Sequence, residues 1–136
     1  MKVEYLDQLS VTEIADGAWR LNTVFRAIVQ DGSHRYLITI PPGFVTDFCS
    51  VPHIPFAYLL FGGIGNKAGL VHDALYSDWG GITVVDIELE LEYLYDRGWA
   101  DNVLAAGLEA CSVGWFKRGS MYAAVRTFGW QFYKKR

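Results

Sequence analysis

Two runs rich in β-branched and aromatic residues, 18–29 and 35–40, stand on either side of Gln30-Asp31-Gly32-Ser33. That arrangement signals a hairpin. Glycine takes positive φ without a Cβ penalty, and Asp and Ser bond nearby backbone in turns. The second run stops at Pro41-Pro42-Gly43, because proline has no N–H to give to a sheet ladder. A further short strand is expected at 44–46.

Beyond Pro55 the pattern turns helical. Residues 56–61 read as a short apolar turn or helix, closed by Gly62-Gly63. Asn66 is placed to cap a helix to about Ser77, and Asp78-Trp79-Gly80-Gly81 makes a tight connection. Thr83 then caps a helix to about Asp96. The strict alternation of Ile87-Glu88-Leu89-Glu90-Leu91-Glu92 is a strand signal that conflicts with it. Helix is preferred there, because Leu and Glu are good helix formers and Val84, Ile87, Leu91 and Leu94 keep helical spacing. Asp101 caps a helix to about Cys111. Ser120 caps the last, 121–134, with Tyr122, Val125 and Phe132 toward the core. The expected class is α+β: a small N-terminal antiparallel β unit (hairpin plus short strand) followed by a bundle of about four helices. It is read as one domain, β-rich over 1–47, with a site loop at 43–54 and helices over 55–136.

A chain of 136 residues, 51% hydrophobic, can bury roughly two thirds of its unfolded surface without disulfides or metal. Cys49 and Cys111 show no pairing or metal spacing and read as small buried hydrophobes in a reducing compartment. Residues 1–10 have no apolar core, and the longest apolar stretch, 51–65, is too broken to span a bilayer. The protein is therefore expected to be soluble in the cytoplasm where it is made. The net charge of -3 names no partner, but its distribution is uneven. Eight acids and one base fall between Asp73 and Asp101, and six bases and no acid between Trp115 and Arg136. Solvated faces that attract each other within the fold explain this. The bases are too few and scattered to indicate nucleic acid.

His72 and Asp73 sit mid-helix, with Tyr76 four residues on and so on the same face as His72. If the next helix returns antiparallel, Asp86 comes beside His72. A carboxylate on one imidazole nitrogen fixes the tautomer and leaves the other nitrogen as a base. Asp73 points elsewhere and offers oxygen to a divalent cation such as Ca²⁺. The competing structural reading makes His72 a hydrogen-bonded core residue, and Asp86 part of a capping-box-like pair with Thr83. In the loop 43–52, Thr46, Asp47 and Ser50 either add a carboxylate and hydroxyls to the site or shape turns. Tyr122 and Arg126 share a helical face, and a buried Arg126 needs an acid, from Asp47, Asp73 or Asp86. That makes it a structural clamp or an anion-binding group. His34 reads as surface, and His53, between prolines, as a loop residue within reach of the site. No phosphate-binding glycine loop, zinc ligand set or nucleophilic serine motif occurs.

Gly-Phe-Val-Thr-Asp-Phe-Cys-Ser-Val-Pro (43–52), His-Asp-Ala-Leu-Tyr (72–76), Asp86 and Met-Tyr-Ala-Ala-Val-Arg-Thr-Phe-Gly (121–129) together resemble domain-of-unknown-function family 1353. The resemblance spans roughly 40–130. It departs from the family pattern at His53 and Thr83, where the family carries Arg. It implies a bacteriophage or prophage origin and supplies no reaction. Locally, His72, Asp73 and Asp86 are similar to the site of phospholipases of the A-two type. There a His activates water, the adjacent Asp binds calcium and a distant Asp orients the His. The glycine-rich calcium loop and the disulfides of those enzymes have no counterpart. Two functions are expected from these features. One is a virion component of the tail or DNA-injection apparatus, partnered by other phage structural proteins, with a buried His-Asp cluster. The other is a phage-encoded, metal-assisted hydrolase of a lipid or cell-envelope bond, with His72 as general base.

Overall fold

The computed structural model describes residues 1–47 and 65–134. The hairpin forms as the sequence signals. Strands β4 (Phe25–Asp31) and β5 (His34–Ile40) pair antiparallel, with Asp31 opposite His34 and Gly32 at φ 63°. Phe25, Ala27 and Val29 alternate into the core from β4, and Tyr36, Ile38 and Ile40 from β5. That is the period-two burial of a sheet with one solvated face.

The expected run 18–29 breaks at Asn22-Thr23-Val24 into β3 (Ala18–Leu21) and β4, which join different sheets. Strand β1 (Lys2–Tyr5) pairs β4. Strand β2 (Val11–Ala15) pairs β3, which in turn pairs the short β6 (Val45–Thr46). The 44–46 strand is thus present, at the edge of a second, three-stranded sheet.

The expected four-helix bundle is not what forms. Among the described residues there are eight strands in two antiparallel sheets and three α-helices. The largest correction falls at 83–96. Thr83–Asp86 is strand β7 and Leu91–Glu92 is β8, joined by a turn and completing a five-stranded sheet β1-β4-β5-β7-β8. The β-branched Thr83-Val84-Val85 segment lies opposite Thr39-Ile38-Leu37 of β5, and Val84 is buried there. Pairing with an open sheet edge outweighs the helix propensity of Leu and Glu, as tertiary context commonly does. Asp86 makes the turn: its Oδ1 accepts from the backbone N–H groups of Glu88 and Leu89, both at 3.0 Å.

Helix α1 (Asn66–Tyr76) agrees with the sequence, although its N-cap is Gly65 in the left-handed region rather than Asn66. Helix α2 (Arg97–Ala110) begins five residues earlier than expected, capped by Asp96, whose side chain accepts from Trp99 N–H at 2.8 Å. This moves Asp101 from a cap into the buried interior of the helix. Helix α3 (Trp115–Phe128) begins six residues earlier than expected and ends in a 3-10 turn, Gly129–Gln131. Val125 is buried as expected, Tyr122 is half-buried, and Phe132 is exposed. Helix α2 packs on β1, α1 and α3. Gly107 permits the close approach, since a Cβ there would lie 2.5 Å from Tyr5 Oη and 3.2 Å from Ala68 Cβ. The expected 56–61 helix and Cys49 lie outside the described residues; Cys111 is a half-buried free thiol.

Candidate functional site

Three helices converge on one carboxylate. His72 and Tyr76 share the buried face of α1, with ring centroids 4.1 Å apart. His72 Nε2 lies 2.9 Å from Asp101 Oδ1 on α2, and Tyr76 Oη donates to the same oxygen at 2.5 Å. Arg126 Nη1, from α3, donates to Asp101 Oδ2 at 3.0 Å, and Arg97, one turn before Asp101, stands 3.6 Å from that oxygen. Arg97 itself is fixed to the α3 carbonyls of Val125 and Arg126.

Asp101 is fully enclosed. Burial alone would raise its pKa, but hydrogen bonds from His72, Tyr76 and Arg126 outweigh it and hold the carboxyl below its usual range. For His72 burial wins over the attraction of Asp101, and its pKa is pushed below the usual histidine value. The pair therefore consists of an ionised Asp101 and a neutral His72 at neutral pH. Since an ionised carboxylate only accepts, Nε2 carries the imidazole proton.

The sequence brought His72 to Asp86, and the structure does not. Asp86, on β7, sits 3.2 Å from His34 Nδ1. The carboxylate beside His72 is Asp101, not Asp86. Asp73, next to His72 but turned away from Asp101, accepts on Oδ2 from Thr46 Oγ1 at 2.6 Å and from Asp47 N–H at 3.1 Å. It ties β6 to α1. Among the described residues no group of three or more His, Cys, Asp or Glu is arranged to hold a metal ion, so a calcium shell around Asp73 gains no support from them. Arg126 finds its acid in Asp101 rather than in Asp47, Asp73 or Asp86. Tyr122 lies outside the cleft wall, and Ser50 and His53 lie outside the described residues.

His72 forms part of the wall of a cleft of about 410 Å³. Phe44, Trp79 and Phe132 give it aromatic surface, and Asp47, Asp73 and Lys134 give it charge. Phe44 and Trp79 meet edge to face at 5.5 Å. The cleft thus combines apolar walls with a few placed polar groups, the usual make-up of a small-molecule site. Asp101 and Arg97 were missed by sequence reasoning. Their signal was present: Arg97 and Asp101 stand at i, i+4, and Ala100, Asp101, Val103, Leu104 and Leu108 form one buried helical face once Asp96 is taken as the cap.

Fold and site together define a β-rich, two-sheet protein with a helix-borne His–carboxylate pair beside an aromatic cleft. The sequence profile of the family described as "Protein of unknown function (DUF1353)" matches residues 19–125, and the chain belongs to that family. No curated protein matches the chain. No solved structure matches it either. No helix among the described residues is long and apolar enough to cross a membrane.

Proposed function

We propose that the cleft is a hydrolytic site acting on an ester or amide of a lipid or cell-envelope molecule, with His72 as general base and Asp101 orienting it. One observation carries this reading: the 2.9 Å contact between His72 Nε2 and an enclosed carboxylate, at the wall of a cleft. With the proton on Nε2, Nδ1 is the basic nitrogen. It takes a proton from water as the water attacks the carbonyl, and returns it to the leaving group as the tetrahedral intermediate collapses. Asp101 stabilises the transient imidazolium, and Tyr76 and Arg126 fix Asp101. Tyr76 is a positioning residue, since its hydroxyl is committed to Asp101. The depressed His72 pKa keeps the ring in its basic form at neutral pH.

Turnover of p-nitrophenyl esters by the purified protein tests this. Replacing His72 by Gln keeps a donor toward Asp101 and removes the base. A loss of about 10²–10⁴-fold with unchanged thermal unfolding is expected, and equal rates would overturn the reading. The rate should rise through a pKa below 6.5 and then level off.

A second reading has one observation in its favour: Asp101 is enclosed and bonded from both neighbouring helices, as a purely structural clamp would be. Under it the chain is a tail- or injection-associated virion component of a phage. H72Q then alters stability alone, and mass spectrometry of purified particles finds the chain.

A further inference from the structure

The charges on the wall of the cleft are unbalanced. Among the described residues that line it there are three acids, Asp47, Asp73 and Asp78, and one base, Lys134. Residues 48–64 contain no Lys or Arg to offset the acids. Asp73 accepts from Thr46 Oγ1 and from Asp47 N–H. Both donors are neutral, so these bonds hold the carboxylate in place and leave its charge. Asp78 is exposed and, among the described residues, has no ion-pair partner. Helix α1 adds to the same sign. It ends at Tyr76, with Ser77 as its cap, both on the cleft wall, and it has no base in its last turn. The C-terminal end of a helix carries partial negative charge and favours cations.

The aromatic side chains of the cleft suit a cation as well. Trp79 and Phe132 line it and are 44% and 41% exposed. Trp79 is fixed beside the end of α1: its backbone N–H donates to Ser77 Oγ at 3.1 Å, and that hydroxyl donates to the Ala74 carbonyl at 3.2 Å. The face of an aromatic ring attracts a cation. We infer that the site takes a cationic substrate, an ester or amide whose molecule carries an alkylammonium group. Its hydrocarbon packs on Trp79 and Phe132, and its nitrogen lies toward Asp73 and Asp78. This rests on the hydrolytic reading of the cleft and names the substrate class of that site. An anionic substrate has Lys134 alone in its favour, against three carboxylates and the end of α1. A neutral apolar one uses the rings but strips water from the carboxylates with nothing in return. An alkylammonium satisfies both kinds of wall.

A binding titration separates charge from catalysis. Phenethylammonium, phenethyl alcohol and phenylpropionate share a ring and an ethylene link and differ in charge. Each is added to the full chain at low ionic strength while NMR follows the Trp79 indole N–H, assigned with Trp79→Phe. Phenethylammonium should bind at least about tenfold more tightly than phenylpropionate, with the alcohol between them. Asp78→Asn should weaken the ammonium ligand and Lys134→Gln should tighten it, each by about two- to fivefold. Phenylpropionate should respond in the opposite sense. Both positions are exposed, so both variants should fold. His72→Gln removes the base and no charge, and should keep the ranking. Phenylpropionate or the alcohol binding as tightly as the ammonium, either charge variant acting with the reversed sign, or no ligand moving the Trp79 signal would each overturn the inference. Hydrolysis fails separately. If wild type and His72→Gln turn over p-nitrophenyl esters equally while the ranking holds, the base assignment falls and a cation-binding cleft stands. If turnover needs His72 but the ranking is reversed, the substrate class alone falls.

Discussion

Among the described residues two histidine–carboxylate pairs stand in opposite settings at similar length. His72 and Asp101 are 3% and 0% exposed in their side chains and meet at 2.9 Å. His34 and Asp86 are 51% and 8% exposed and meet at 3.2 Å. In the first pair both side chains are buried, Asp101 has donors from the two neighbouring helices, and the pKa values of both partners are displaced downward. In the second the imidazole stands half in solvent at the mouth of a hairpin, and Asp86 is committed to the turn that follows β7. Chemistry of the side chains does not distinguish the pairs. Enclosure does, because low dielectric strengthens every interaction made and penalises every one left unmade.

The widest separation between the pairs is expected on removing a charge. Asp101→Asn leaves Arg126 without its carboxylate and presents a neutral amide to three donors. It should cost roughly 3 kcal/mol or more, the scale for breaking a buried pair on one side. Asp86→Asn keeps an acceptor for the turn and should cost about 1 kcal/mol or less, since the imidazole it faces stands half in solvent. Urea unfolding measures both, and equal losses would erase the distinction.

Gly129→Ala probes the enclosed cluster from outside it. A Cβ there would fall 2.6 Å from Tyr76 Oη and 3.2 Å from its Cε2. The ring must shift, loosening the bond to Asp101, at about 1–3 kcal/mol for overpacking. Thermal unfolding reads the loss, and an unchanged midpoint would mean the cluster tolerates displacement of Tyr76.

Acid should discriminate next. His72 and Asp101 both have folded pKa values below their unfolded ones, so the unfolded chain takes up protons first as pH falls. Their contribution to stability is complete above about 6.5, the ordinary histidine value, and declines as pH falls toward the folded pKa values. H72Q should flatten the upper part of that decline, starting at 6.5, and leave the Asp101 part below 3.8 in place. His34→Asn should have the smallest effect on urea unfolding, about 0.5 kcal/mol or less.

The hairpin at 25–40 was legible because alternation, turn residues and the proline stop agree there. So was α1, with His72 and Tyr76 on one face. The 83–96 segment was not, because its local signals conflict and the deciding term is an open edge on β5, which no local pattern displays. That misreading moved Asp86 onto an imagined helix and toward His72. Asp101 went unseen for a complementary reason: an Asp read as the first residue of a helix looks like a cap, and only the earlier start at Asp96 turns it inward. Strands β1 and β2 escaped because short strands, largely exposed, carry little hydrophobic pattern.

The most direct measurement is a nitrogen-15 NMR titration of the His72 ring in the intact protein. A neutral imidazole protonated on Nε2, persisting below pH 6.5, is the predicted result. A ring that gains its second proton at or above that pH, or carries its single proton on Nδ1, would contradict the assignment of Asp101 as its acceptor.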